Sequence, residues 1–462
     1  MIYINLALPS GKRKCLALEE SSKVGDLKKL AQKAFGQSLV RLVSGGGHVL
    51  NDPEKSLEDA GIHDGDHVTA VAQQAKLAAT AGAFALWSHG GDRIVTWGHH
   101  SVTSNCSAVR NNLGSVQLVQ GTRVAVLEES LYDDAYLAGA FAAILEDGSV
   151  VTWGQPACGG NSSAVSDQLR NVQQVQATCA AFAALLADGS VATWGNPNYG
   201  SDSSAVQDQL RSVQKIEATW GAFVGILSDG SVVTWGNPES GGDSSDVRHQ
   251  LKNVKQITAA VGAFAATLQD GSVVTWGAGG NSSEVQSQLQ KVQQVQSTGG
   301  AFAALLEDGS VVTWGHPGFG GNSSAVTDQL RNVREVQATW FAFAAILADG
   351  SVVTWGDPHG GGDSSAVQNR LRNVKQIEAT NAAFAAILAD GSVVTWGEPY
   401  TGGNSSEVQS QLQKVQQIQG TAEAFAAIRS DGSLVAWGNT MCGGEFRTHV
   451  IDLDTALSRL VE

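Results

Sequence analysis

Nine tryptophans, each followed by glycine, punctuate this chain at nearly constant spacing. They are Trp97, Trp153, Trp194, Trp235, Trp276, Trp314, Trp355, Trp396 and Trp437, with gaps of 56, 41, 41, 41, 38, 41, 41 and 41 residues. A period of about 41 with one insertion and one deletion means serial copies of one supersecondary unit. No such unit can bury its apolar face alone, so each must lean on its neighbours. Chains built this way typically bind partners and do not transform them.

The copy at 172–195 shows what one unit contains. Val172-Gln173-Gln174-Val175-Gln176-Ala177-Thr178 reads as a strand of mixed polarity, and Ala181-Phe182-Ala183-Ala184-Leu185-Leu186 as a strand buried on both faces. Asp188-Gly189 predicts a hairpin turn with adjacent positive φ angles, leading into a third strand that ends at Trp194-Gly195. The triplet Asp-Gly-Ser recurs eight times, from Asp147 to Asp431. Between hairpins lies a glycine-rich loop and then a segment such as Ser203–Leu210. Val206, Leu210 and Val213 there sit one turn apart, which predicts a short helix capped by the preceding Asp or Asn. Asn161, Asn281, Asn322 and Asn404 open Asn-Ser-Ser triplets that also match a glycosylation sequon; the capping role explains them without one. The repeated tryptophan is expected to serve packing between units.

Residues 1–73 differ from the rest and are read as a separate domain, with the repeats occupying 76–462. Alternation in Ile2–Leu8 and Lys14–Leu18 predicts a hairpin turning at Pro9-Ser10-Gly11. Val24, Leu27, Leu30, Ala31 and Ala34 follow helical spacing, and further strands fall near Val40–Ser44 and His67–Ala72. This order resembles ubiquitin, most closely in Val40-Arg41-Leu42-Val43, Leu57-Glu58-Asp59-Ala60-Gly61-Ile62 and His67-Val68-Thr69-Ala70-Val71. The resemblance implies a β-grasp domain with a binding patch centred on Val43 and Val71, while Leu42 and Val68 face inward. Pro9 stands where ubiquitin's first-turn leucine would contribute to that patch. No Gly-Gly follows Val71; the chain continues through Ala72-Gln73-Gln74-Ala75, as in an integral ubiquitin-like domain and not a conjugatable tag.

The repeated Leu-x-x-Asp-Gly-Ser-Val-Val-Thr-Trp-Gly resembles the repeats of the regulator of chromosome condensation family, which build β-propellers and also occur in large HECT-type ubiquitin ligases. The family's Gly-x-x-His ahead of the second strand is replaced here, for example by Thr178-Cys179-Ala180-Ala181. The 41-residue period is also short against the family's four-stranded blades. The expected fold is therefore mainly β: a β-grasp domain followed by a propeller-like array of about nine three-stranded units, with an open β-solenoid as the alternative. A HECT ligase needs a large catalytic domain after the propeller, and Asn439–Glu462 are too few to form one.

The repeats vary at two places only. One is the pair ahead of the second strand, such as Trp220-Gly221 or Trp340-Phe341; the other is the loop after Trp-Gly, carrying Tyr199, Phe319, His359 or Tyr400. In an up-down-up unit both fall at the same end of the sheets. A constant framework with one variable rim is the pattern of a recognition surface. Trp220, Trp340 and Phe341 are the expected anchors, since large aromatics dominate interface energetics. Their plainer role is to fill the end of a central channel. The insertion Arg123–Tyr136 is a further candidate protrusion.

The net charge of −15 is uneven. Residues 1–75 carry nine Lys/Arg and nine Asp/Glu, whereas the remainder holds 20 basic and 35 acidic residues. That acidity argues against binding a phosphate backbone. Five scattered cysteines without Cys-x-x-Cys read as free thiols of a reducing compartment, cytoplasmic or nuclear. No apolar run approaches the roughly 20 residues of a membrane helix. No phosphate-binding loop or His-Glu-x-x-His appears, and one carboxylate per Asp-Gly turn cannot supply calcium's six to eight oxygens. No catalytic residue, cofactor or metal is expected. The sequence points to a non-enzymatic adaptor, with a protein client on the repeats and a ubiquitin receptor, ligase or proteasome component on the first domain. Its alternatives are the substrate-binding subunit of a ubiquitin ligase, or a guanine-nucleotide exchange factor for a small GTPase, as the founding family member implies.

Overall fold

The structure is a computed structural model, and it describes residues 1–35, 39–50, 52, 54–73, 75–80, 82–88, 94–98, 116–122 and 139–444. The insertion Arg123–Tyr136 and the segment after Gly444 lie outside the described residues.

Four strands and a helix come first: β1 Ile2–Ala7, β2 Arg13–Leu18, α1 Val24–Phe35, β3 Leu39–Ser44 and β4 His67–Gln73. The sheet order is β2-β1-β4-β3, with β1 parallel to β4 and the other pairs antiparallel, which is a β-grasp arrangement. Ile4, Leu6 and Leu18 of the hairpin meet Val24, Leu27 and Ala31 of α1, together with Leu42, Val68 and Ala70, in one buried core. Leu30, one position before Ala31, is instead 37% exposed. Strand alternation thus turns Leu42 and Val68 inward, as their positions predict.

Nine three-stranded antiparallel sheets follow, spanning 75–98, 116–154, 172–195, 213–236, 254–277, 292–315, 333–356, 374–397 and 415–438; we number these blades 1 to 9. Each has an inner, a middle and an outer strand in chain order, for example Val172–Ala177, Ala181–Leu186 and Val191–Gly195 in blade 3. Each inner strand touches the inner strand of the next blade, and that of blade 9 touches that of blade 1. Leu77, Phe84 and Leu86 of blade 1 share a core with Ala424, Ala426 and Ile428 of blade 9, and Trp97 Nε1 donates to the Gly443 carbonyl at 3.3 Å. The array is therefore a closed ring, which excludes the open solenoid.

The middle strand carries the packing on both faces. Phe182 and Ala184 point toward blade 2, whereas Ala181, Ala183 and Leu185 meet Phe223 and Trp235 of blade 4. Alanine on one blade faces a large ring on the next, so the wedges interlock at close range. Within each blade the same phenylalanine stacks on the framework tryptophan, as Phe182 does on Trp194 at 5.2 Å.

Two predicted local structures come out differently. The Asp-Gly turn places only glycine at positive φ, Gly189 at 81°, while Asp188 stays in the ordinary region. Gly189 N–H donates to the Leu186 carbonyl and Leu186 N–H to Ser190 O, a type I turn followed by a left-handed glycine. Asp188 Oδ1 accepts from both the Ser190 amide and its hydroxyl, which makes Asp-Gly-Ser a self-bonded unit. Ser203–Leu210, expected as a helix, is a single 3-10 turn at Ser204–Val206 continued by turns. Its polar side chains bond across the blade: Gln207 Nε2 donates to Val191 O, and Gln286, Gln368 and Gln409 serve the outer strands of their own blades in the same way. They cover the exposed outer edge of the sheet. Asp202 and Asn161 each accept the amide two residues on and so close an Asx turn ahead of the 3-10 turn, whose N-cap positions, Ser203 and Ser162, make no side-chain cap bond.

Candidate protein-interaction rim

One end of the ring carries the bends before the middle strands and the loops after Trp-Gly. A threonine ties these two segments together in blades 3, 4, 6, 7, 8 and 9, whereas blade 5 has Ala260 at that position. Thr178 Oγ1 accepts the Ala181 amide at 3.0 Å and donates to the Tyr199 carbonyl at 3.0 Å. Thr219, Thr298, Thr339, Thr380 and Thr421 repeat the latch. In blades 2, 3, 4, 6, 7 and 8 the loop is a Pro-x-x-Gly turn closed by a left-handed glycine, as in Pro197–Gly200, and blade 9 makes the same turn with Thr440–Gly443. The two variable positions therefore share one rim because the latch holds them there.

The rim's inner margin is a belt of main-chain bonds between blades. Cys179 N–H donates to Trp220 O, Trp220 N–H to Val261 O, Gly299 N–H to Trp340 O, Trp340 N–H to Asn381 O and Asn381 N–H to Ala422 O, at 2.8–3.0 Å. The belt surrounds an axial cavity of 350 Å³ whose lining includes Trp220, Val261, Gly299, Trp340, Asn381 and Ala422. Deeper in the channel each inner strand would present a bare edge. Gln174 covers the edge of blade 4 by bonding both the carbonyl and the amide of Ile216, and Arg334 Nη2 donates to Lys375 O. This explains why the inner strand is polar at alternate positions. Glu378 also lies there, with Gln376 Nε2 donating to it and Glu335 nearby. Burial pushes its carboxyl up to about 7, against the lowering effect of the Gln376 bond.

The named aromatics sort into pairs and singles. Tyr199 and Trp220 meet edge to face at 5.4 Å across the seam between blades 3 and 4, and Phe319 stacks on Phe341 at 5.4 Å across the next-but-two seam. Trp340 lies over Gly299, where a Cβ would come within 2.5 Å of its indole nitrogen. Trp220, Trp340, Phe341, Tyr199 and Phe319 are all half-buried, so the anchors partly line the channel mouth. His359 and Tyr400 stand at the apices of their turns; Tyr400 is 60% exposed. Met441, 51% exposed, was missed by sequence reasoning, although it sits 41 residues after Tyr400 and so at the same apex. Val43 and Val71 are half-buried on one face of the β-grasp sheet, where Arg41 pairs with Val71 and Val43 with Thr69.

The buried thiols offer no nucleophile at neutral pH. Burial pushes Cys158 up to about 11, and burial together with Glu423 pushes Cys442 to about 12; Cys179 is raised further by burial. Among the described residues no three His, Cys, Asp or Glu side chains converge as a metal site would require, and no helix is long and apolar enough to cross a membrane.

No protein-family model matches the chain, and no curated protein does. Among solved structures, Prp20p from Saccharomyces cerevisiae is 16% identical, the match covering 50% of this chain and 72% of that one at a TM-score of 0.32. The CRINKLY WD40 ectodomain of the Arabidopsis thaliana receptor kinase ACR4 is 17% identical over 56% of this chain and 91% of its own, at 0.34. A designed protein based on ubiquitin is 17% identical over 15% of this chain and 84% of its own, at 0.14. The fold described above rests on the strands and their packing, not on these likenesses.

Proposed function

We propose that the chain is a non-enzymatic adaptor that captures a protein client on the variable rim of its ring and presents it to the ubiquitin system through the β-grasp domain. The observation that supports this best is the confinement of sequence variation to one latched rim while the framework repeats. There the ring leaves Tyr400 and Met441 exposed in blades 8 and 9 and carries half-buried aromatic pairs at the seams of blades 3 and 4 and of blades 6 and 7. A buried aromatic contact at the centre of an interface is worth about 2 kcal/mol or more. On the β-grasp sheet, Val43 and Val71 form the smaller apolar patch that a ubiquitin receptor, ligase or proteasome component would engage.

The test is quantitative affinity capture with the full chain, identifying clients by mass spectrometry and comparing variants. Tyr400→Ala with Met441→Ala should lower client recovery at least tenfold without moving the unfolding temperature, because neither side chain is buried. Val43→Glu with Val71→Glu should leave the client bound and remove ubiquitin-system components. Client recovery unchanged by the rim pair sinks the rim assignment. Acceleration of nucleotide release from a small GTPase would replace the adaptor by an exchange factor.

A further inference from the structure

Charge is sorted between the two ends of the ring. At the Asp-Gly end, the residue one or two places before the inner strand is an exposed lysine or arginine in every blade from 3 to 9, from Arg170 to Lys414. These cations stand among the aspartates of the Asp-Gly-Ser turns, because each turn packs on the start of the next blade, as Gly189 does on Ser212. The rim has no such balance. In blades 3 to 9 its bends, and its turns through the closing glycine, contain Glu239, Asp357, Glu398 and Glu423 but no lysine or arginine. Among the described residues none of these four carboxylates is in an ion pair.

The fold does not need these charges. Asp357 Oδ1 accepts the Gly360 amide at the head of its turn, but Asn196, Asn237 and Asn439 cap their own turns without a charge. Glu398 opens its turn with no side-chain cap bond. Glu423 accepts from Asn439 Nδ2, yet the same position is Ala180, Gly221, Gly300 or Ala382 in other blades. Asp357, Glu398 and Glu423 fall on the successive blades 7 to 9, and the apices of those three turns are His359, Tyr400 and Met441, all exposed. Acid and apex are neighbours: Glu398 is two residues before Tyr400, and Glu423 is bonded to Asn439, whose Oδ1 caps the Met441 amide. Such a surface repels an acidic segment, and a purely apolar one would desolvate unpaired carboxylates. Lysine and arginine meet both demands. Their aliphatic stems cover apolar surface while the cationic head reaches past it, and the head is also attracted to an aromatic face.

We propose that the rim of blades 7 to 9 docks a lysine- or arginine-bearing segment of the client, its cationic heads meeting Asp357, Glu398 and Glu423 and its stems covering Tyr400 and Met441. The proposal rests on the rim being a protein-binding face and names the chemistry of what binds there. Charge of one sign, without counter-charges between, draws such a segment in and turns acidic ones away. At the opposite end the same segment would meet a lysine or arginine in each of blades 3 to 9, so the ring offers it one face. Asn381, half-buried at the inner margin of this sector, has a carboxamide with no partner among the described residues and adds a neutral acceptor for a cationic head.

The experiment measures fluorescence anisotropy of dye-labelled, capped octalysine on the full chain, with octaglutamate as the control. Octalysine should bind and octaglutamate should not, and raising salt from about 50 to about 500 mM should weaken octalysine about tenfold or more. Asp357→Asn with Glu398→Gln and Glu423→Gln should weaken it about tenfold at the lower salt. Asp167→Asn with Asp208→Asn and Asp328→Asn removes the same charge from exposed sites away from the rim and should leave the affinity within about twofold. The chain has two methionines, Met1 and Met441, so methyl-labelled methionine reports the place by NMR: octalysine should move the Met441 signal saturably and leave Met1 still. Equal weakening by the two triple variants, unchanged affinity in the rim triple, binding of octaglutamate, or an unmoved Met441 signal at saturation would each overturn the proposal. The methionine signal decides it on the unaltered chain even if the rim triple does not fold. Client capture separates the two readings. Capture lost in the Tyr400 and Met441 variants but untouched by the rim triple and by excess octalysine keeps the rim and discards the basic segment. Octalysine seated at Met441 with capture unaffected by either set of variants keeps the basic site and discards the adaptor.

Discussion

A single polar atom distinguishes otherwise equivalent tryptophans. Trp355→Phe removes a bond to Gly320 and Trp314→Phe removes none, so thermal melts should show Trp355→Phe less stable by about 1 kcal/mol relative to Trp314→Phe. Glu378 gives a test of sign. Its folded carboxyl titrates about 7, above the ordinary carboxylate value, so the native chain holds the proton more tightly than the unfolded one, and stability falls as pH rises from about 4.5 to 7. Glu378→Gln should therefore raise stability at pH 8 by about 1–2 kcal/mol and make little difference at pH 4, as urea melts at the two values would show. The Asp-Gly-Ser carboxyls behave oppositely: the serine hydroxyl and amide hold Asp188 below its usual value, so its contribution is lost on acidification. The tryptophan's packing role was legible because nine copies at one strand position leave little else for them to do. The orphaned indole was not, since the 38-residue gap shows a deletion but not which bond the missing residues supplied.

At the level of elements, strands were legible and connections were not. Alternation and an apolar middle strand fix the three-stranded unit, whereas Val206 and Leu210 mimic helical spacing for another reason. Leu210 is buried in the seam with blade 4, while Gln207 between them and Ser203 before them bond Val191 and Thr193 of the outer strand. The hairpin turn has a second duty that spacing does not reveal. Gly189 lies against the start of the next blade, where its added Cβ would sit 2.8 Å from Ser212 Cα, and Val213 N–H donates to its carbonyl. Gly189→Ala combines a positive φ with that collision and should cost about 2 kcal/mol or more by denaturant melt. Ala183→Leu, forced against Phe223 and Trp235, should cost about 1–3 kcal/mol or more in the same assay.

Across the whole molecule, closure was the question that periodicity left open, because a repeat specifies how one unit meets the next but not how many complete a turn. Ala426 answers to Phe84 across the closing seam as Ala183 answers to Phe223 within the array. Ala426→Leu should therefore destabilise as much as Ala183→Leu; a tolerated leucine at 426 would mean that blades 1 and 9 part in solution. The rim could be placed from strand direction alone, but its half-buried aromatics needed coordinates, since sequence cannot tell a residue that lines a mouth from one that projects beyond it. The belt of amide-to-carbonyl links around that mouth bears on mechanism. Among the described residues the links tie blades 3 to 5 into one arc and blades 6 to 9 into another, and each arc behaves as a rigid stave and not as a leaf of an iris. A client on the proposed rim would meet an annulus whose two tied arcs are unlinked at the seam of blades 5 and 6, which gives an otherwise repetitive surface a fixed bearing.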